Sequence, residues 1–139
     1  MYVVYYHNVV EGPVSEVDRR SSRLGHERFA MHMRFLRDHF TIISVGEYLE
    51  RLDSGDLDPR CACVTFDDAY AGVAEVAAPI LAELSIPATV FAISGSLPQP
   101  DRLMHYEELE AALNLTERDA VEVPELGFES LRVGSDKTK

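Results

Sequence analysis

The chain has 139 residues, 46% of them hydrophobic and 27% charged, with a formal net charge of −11. That is one domain's worth of globular chain, or a piece of a larger one, and not a disordered composition. The negative balance excludes nucleic acid as a partner, because a phosphate backbone selects a basic surface. No apolar run approaches the roughly 18–20 residues of a transmembrane segment. The start, Met1 to His7, lacks the basic and then apolar build of a signal peptide, which implies a cytoplasmic product.

Residues 2–6, Tyr-Val-Val-Tyr-Tyr, form a β-rich run closed by His7-Asn8. Residues 8–25 read as a polar connection punctuated by Gly12-Pro13 and Ser21-Ser22. From His26 to about His39 the apolar residues Phe29, Met33, Leu36 and Phe40 recur at three- and four-residue steps, an amphipathic helix. Met31 and His32 lie off that stripe, and His26, His32 and His39 read as solvated helix positions. Thr41-Ile42-Ile43 is a short strand. Ser44-Val45-Gly46-Glu47 then has the S-x-x-E form of a capping box opening a helix to about Leu52.

Residues 61–66, Cys-Ala-Cys-Val-Thr-Phe, form a nearly continuous apolar run, which predicts a strand covered on both faces. Cys61 and Cys63 share one face of it and read as two small buried apolar residues. The strand ends abruptly in Asp67-Asp68, and residues 72–84 predict a helix bent by Pro79. The acid pair therefore sits on a strand-to-helix turn, the rim where parallel α/β folds bind ligands. Two adjacent carboxylates there repel unless a metal, a proton or a cationic substrate lies between them.

Residues 88–93, Ala-Thr-Val-Phe-Ala-Ile, give the next strand. The order β-α-β-α-β-α-β predicts an α/β fold with a parallel sheet and right-handed crossovers, open or closed into a barrel. Residues 94–101 read as a loop, and a helix follows over about 104–113 with Leu109, Ala112 and Leu113 as apolar contacts. Beyond Leu115 the chain is acidic and turn-rich, with no further strand predicted. Two regions result, 1–93 and 94–139, and the whole reads as the front part of a fold.

Residues 1–93 resemble the polysaccharide deacetylases of the NodB-homology type. The resemblance rests on Tyr6-His7-Asn8-Val9, on Val64-Thr65-Phe66-Asp67-Asp68-Ala69-Tyr70, on Pro79-Ile80-Leu81 and on Ile86-Pro87-Ala88-Thr89-Val90-Phe91. It implies a partial, distorted (β/α) barrel that hydrolyses N-acetyl or O-acetyl groups of a glycan with a divalent metal, commonly zinc. It implies Asp67 as general base and Asp68 as metal-binding carboxylate. His7 ends the first strand on the same rim and reads as a substrate-facing or a structural, hydrogen-bonded histidine, and Tyr70 reads as lining the substrate groove or as ordinary packing.

Two departures from the family pattern stand out. Ala69 occupies a position that is usually glycine, and the H-[ST]-x-x-H motif that completes the metal ligands is absent from these residues. His105 stands where such ligands begin but has no partner histidine. The alternative reading is therefore a remnant or binding module that keeps the fold without the metal. Phosphoryl transfer is disfavoured, since the two lysines are Lys137 and Lys139 and no D-x-D-x-T follows the strand.

Overall fold

The computed structural model describes residues 1–14, 23–56, 58–95, 105–126 and 128–132. The chain divides into two compact units, 1–97 and 98–139.

The first unit is built around β5 (Cys61–Asp67), whose residues from Cys61 to Phe66 are all buried. An apolar run with no polar face has nowhere stable but between two covering layers. β1 (Tyr2–Tyr6) runs parallel to it in a register that sets Tyr2 beside Ala62 and Tyr6 beside Phe66. β4 (Thr41–Ile42) pairs in parallel with the start of β5, and β6 (Ala88–Phe91) with its end. The parallel sheet is thus present, with strands slightly shorter than the sequence predicts at 41–43 and 88–93.

Helix α1 (His26–His39) lays Phe29, Met33 and Leu36 on the sheet, all buried, as its periodicity requires. Tyr6, Phe29 and Phe66 meet there as an aromatic trio, with ring centroids 5.2–5.8 Å apart. Each such pair adds about 0.5–1.5 kcal/mol beyond area burial. Helix α2 (Val45–Ser54) begins where the sequence predicts: Glu47 N–H donates to Ser44 Oγ at 3.1 Å. The other half of the capping box is replaced by an ion pair, for the Glu47 carboxylate accepts from Arg51 at 2.8 Å. Gly55 closes the helix at φ 77°, a left-handed position that glycine takes without penalty.

The helix after the acid pair is not regular. Val73–Ala77 form a wide turn in which the Ala78 N–H bonds back to the Val73 carbonyl, and α3 (Ala78–Glu83) continues from it. Pro79 has no N–H to give and crowds the carbonyl four residues before it, so the turn widens locally instead of the helix breaking.

Several expectations are corrected. The connection over 8–25 contains two strands, β2 (Asn8–Val10) and β3 (Arg23–Gly25), paired in parallel. They were invisible as a pattern because three residues carry no period, yet Val9 is fully buried. The α1 histidines are not simply solvated. Gly12 N–H donates to His26 Nδ1. The His32 Nδ1 lies 3.3 Å from the Tyr6 hydroxyl, and the His39 ring stacks on Phe35 at 4.3 Å. Cys61 and Cys63 are free thiols and buried as predicted, and burial raises the Cys63 pKa.

In the second unit α4 (His105–Leu115) forms, but Leu109 and Leu113 are exposed. β7 (Ala120–Val123) and β8 (Phe128–Arg132) pair antiparallel around a short 3-10 turn, Pro124–Leu126. This overturns the expectation of no further strand. The loop beyond residue 95, the Ser21-Ser22 pair and the tail 134–139 lie outside the described residues.

The Tyr6–His32 contact carries a pH dependence. Burial holds the Tyr6 pKa up at about 12, so its hydroxyl keeps its proton beside His32 Nδ1. The His32 pKa is lowered from 6.5, by burial first and by Arg28 second. The fold therefore binds that proton less well than the unfolded chain does. The associated stability is complete above pH 6.5 and is lost as pH falls through the depressed folded-state value. A His32→Gln variant will lose less stability than the parent between about pH 7.5 and 5.5, read as the shift of the urea midpoint.

Candidate active site

The β1–β5 register does the positioning. Tyr6 pairs with Phe66, so the next residue along each chain, His7 just past β1 and Asp67 at the end of β5, stands at the same rim. On the other side of β5, Asp67 pairs with Phe91 of β6. The chain then turns sharply: Asp68 has φ 71° and Ala69 has φ 55°, both left-handed. Two consecutive left-handed residues swing the backbone out of the strand and let a helix begin by Val73. Aspartate tolerates that region better than most side chains, alanine less so.

The two carboxylates consequently differ in setting. The Asp67 side chain is 40% exposed and that of Asp68 is 17% exposed. His7 Nδ1 lies 3.6 Å from Asp68 Oδ2 and 4.0 Å from Asp67 Oδ2. That nitrogen is buried and makes no hydrogen bond, and neither does the buried Asn8 Oδ1 next to it. Tyr70 is half-buried, packed against the core where the helix begins, and its carbonyl accepts from the Val73 N–H at 2.9 Å.

Gly72 is the residue on which this arrangement closes. A Cβ built on it would overlap the Val9 carbonyl oxygen and Asn8 Oδ1. Only the bare backbone lets the start of the helix press on β2, directly after His7. Its φ is −59°, so the requirement is space and not conformation. Asn8 and Phe91 were read from sequence only as part of the resemblance and Gly72 only as the start of a helix; the glycine two residues beyond the D-D-x-Y turn was the available signal.

A catalytic zinc takes three protein ligands. Among the described residues no three His, Cys, Asp or Glu side chains are grouped to hold a metal ion. Asp68 and the His7 imidazole together fit part of such a centre and not the whole. The His105 side chain lies outside the described set.

Two substitutions probe the turn. The left-handed region costs a non-glycine residue about 1–2 kcal/mol, and glycine returns about 0.4–1 kcal/mol of that as unfolded-state entropy. Ala69→Gly will therefore stabilise the chain by up to about 1 kcal/mol in urea unfolding. Gly72→Ala meets the Val9 carbonyl and the Asn8 side chain and will destabilise by about 1–3 kcal/mol in the same measurement.

Residues 54–117, which include the acid turn, match the polysaccharide deacetylase family. No curated protein sequence matches the chain. Among solved structures it is similar to a de-N-acetylase from Aggregatibacter actinomycetemcomitans, with 24% identity and a TM-score of 0.59 over 76% of this chain and 42% of that one. It is also similar to the Streptococcus pyogenes deacetylase PplD, solved in complex with acetate, with 19% identity and a TM-score of 0.61 over 78% of this chain and 50% of that one. The chain thus spans no more than half the length of either. Among the described residues no helix is long and apolar enough to cross a membrane. The fold is a parallel α/β sheet similar to deacetylase structures and consistent with part of a (β/α) barrel. Residues 54–117 are thus similar to the polysaccharide deacetylase family, and the fold around them is similar to part of two deacetylase structures.

Proposed function

We propose that the chain is a deacetylase-like hydrolase that removes N-acetyl or O-acetyl groups from a glycan. The observation that carries this reading is the acid turn: two adjacent carboxylates, differently exposed, at the carboxyl end of a buried parallel strand. In this reading Asp67 is the general base. Its greater exposure and its place between His7 and Phe91 suit a group that must meet water and substrate. Asp68, more covered and closer to His7, is the metal-facing carboxylate.

The reaction is written on the chain's own groups. A water oxygen adds to the acetyl carbonyl carbon while Asp67 takes the water's proton. The carbon–nitrogen bond then breaks, that proton passes to the leaving amine, and acetate and a free amino sugar result. An O-acetyl group reacts in the same way, with an alcohol leaving. A divalent metal, most often zinc in this family, supplies carbonyl polarisation and a more acidic water when bound. The described residues hold only part of its ligand set, so the remaining donors come from outside them. Tyr70 and His7 share the rim and are the candidates to touch the sugar.

The incomplete ligand set also favours a second reading, a fold kept as a binding module without hydrolysis. Acetate release separates the two. With an acetylated chito-oligosaccharide and added Zn2+, the chain will release acetate, and Asp67→Asn will lower the rate by about 10²–10⁴-fold. No release from the parent chain, or an unchanged rate in the variant, sinks the hydrolase reading.

A further inference from the structure

β1 is apolar and yet open to water. Tyr2, Val3 and Tyr5 are 55%, 51% and 65% exposed. Among the described residues β1 pairs with β5 alone, so its outer row of backbone N–H and C=O groups has no strand beside it. Sheet edges are ordinarily blunted by a charge, a proline or a bulge. Residues 2–6 contain neither charge nor proline, and their ladder with β5 runs without a shift.

The apolar surface continues from that edge onto α1. Met31 and Phe35, 57% and 56% exposed, stand with Val4, Tyr6, His32 and Leu36 around an open groove of about 290 Å³. Free backbone groups beside an apolar groove fit an added β-strand that brings its own covering side chains.

Three features select a second copy of this chain as that strand. Tyr2 to Tyr6 are strong strand formers, and the run is nearly self-complementary when reversed. Antiparallel pairing about Val4 sets Val3 opposite the partner's Tyr5 and Tyr2 opposite the partner's Tyr6, aromatic and β-branched pairs that stabilise a sheet. Charge does not oppose the contact locally: each copy carries −11, yet none of it lies within residues 2–6. The area also suffices. An aromatic side chain covers about 150–250 Å² when buried. Tyr2, Val3, Tyr5, Met31 and Phe35, each about half exposed, therefore offer roughly 500 Å² per copy. The pair then buries roughly 1,000 Å², where specific interfaces begin.

We propose that two copies of this chain pair antiparallel along the outer edges of β1. The twofold axis sets both α1 helices on one side of the joined sheet, so that Met31 and Phe35 of each copy cover the seam. Such a dimer is independent of the deacetylase reading. It reaches the rim all the same, because the Tyr5 ring in the seam lies 5.8 Å from that of His7.

Sedimentation equilibrium of the intact chain, with amide hydrogen exchange of β1, tests this. The expected result is a closed dimer whose outward β1 amides gain protection as concentration rises. Added salt will strengthen it by screening the repulsion between two copies of charge −11. Val3→Lys, Tyr5→Lys and Phe35→Lys change exposed positions that occur twice in the seam, and each will weaken dimerisation at least about tenfold. Val90→Lys, on exposed β6, will leave it unchanged. A monomer with protected β1 amides means that the chain covers its own edge, and one with unprotected amides means that the edge serves a different polypeptide. Open-ended oligomers mean that β1 joins another edge. Each of these overturns the proposal, as does a dimer that the three seam variants leave intact.

Discussion

The arrangement depends on one constraint: β5 must be covered on both faces. Six consecutive buried residues leave no polar side for water, so the strand is central and its neighbours are fixed by what can cover it. The parallel register with β1 follows, and the Tyr6–Phe29–Phe66 trio sits directly beneath the place where both strands end. Chemistry at the rim is inherited from that packing. The imidazole of His7 and the carboxylates of Asp67 and Asp68 come together because their strands end level.

The turn itself works against local preference. Asp68 and Ala69 both adopt left-handed backbone, and the next helix starts with a widened turn forced by Pro79. Such departures are tolerated when the surroundings hold them in place, and they gather where a side chain has to be aimed. Here the holding is done by Val73, Ala77 and Leu81, which anchor the helix in the core, and by the bare Cα of Gly72 against β2. The outcome is two carboxylates that leave one strand end with different solvent exposure. That difference gives two chemically identical groups distinct surroundings.

The legible features were those with a period or a fixed local rule. The apolar run of β5, the three- and four-residue spacing of α1, and Ser44 ahead of Glu47 each correspond to a physical signature confined to a few neighbouring residues. The strand-to-helix turn was legible for the same reason, and Ala69 was recognisable as a residue out of place in it. What escaped depends on partners far away in the chain. β2 and β3 are three residues each and make sense only as a pair brought together across an intervening segment. β7 and β8 lie in an acidic stretch whose alternation is too weak to read, and they are stabilised by each other. The contacts of His26, His32 and His39 likewise come from groups that the helix pattern does not include. Asn8 belongs to the Tyr6-His7-Asn8-Val9 stretch, but its contact with the start of the helix after the acid turn follows from the fold alone.

The cysteines of β5 have a consequence of a different kind. Cys61 and Cys63 are free, almost wholly inaccessible, and seated in the one strand that every other strand of its sheet pairs with. A thiol reagent reaches either sulfur only when the layer covering that face of β5 moves aside, and for Cys61 that layer includes Arg51 of α2, 3.6 Å from the sulfur. The rate at which these thiols become modified under native conditions therefore reports how often the layers packed on β5 open, in the way that slowly exchanging amides do. The chain carries, in its own central strand, a chemical clock for cooperative opening.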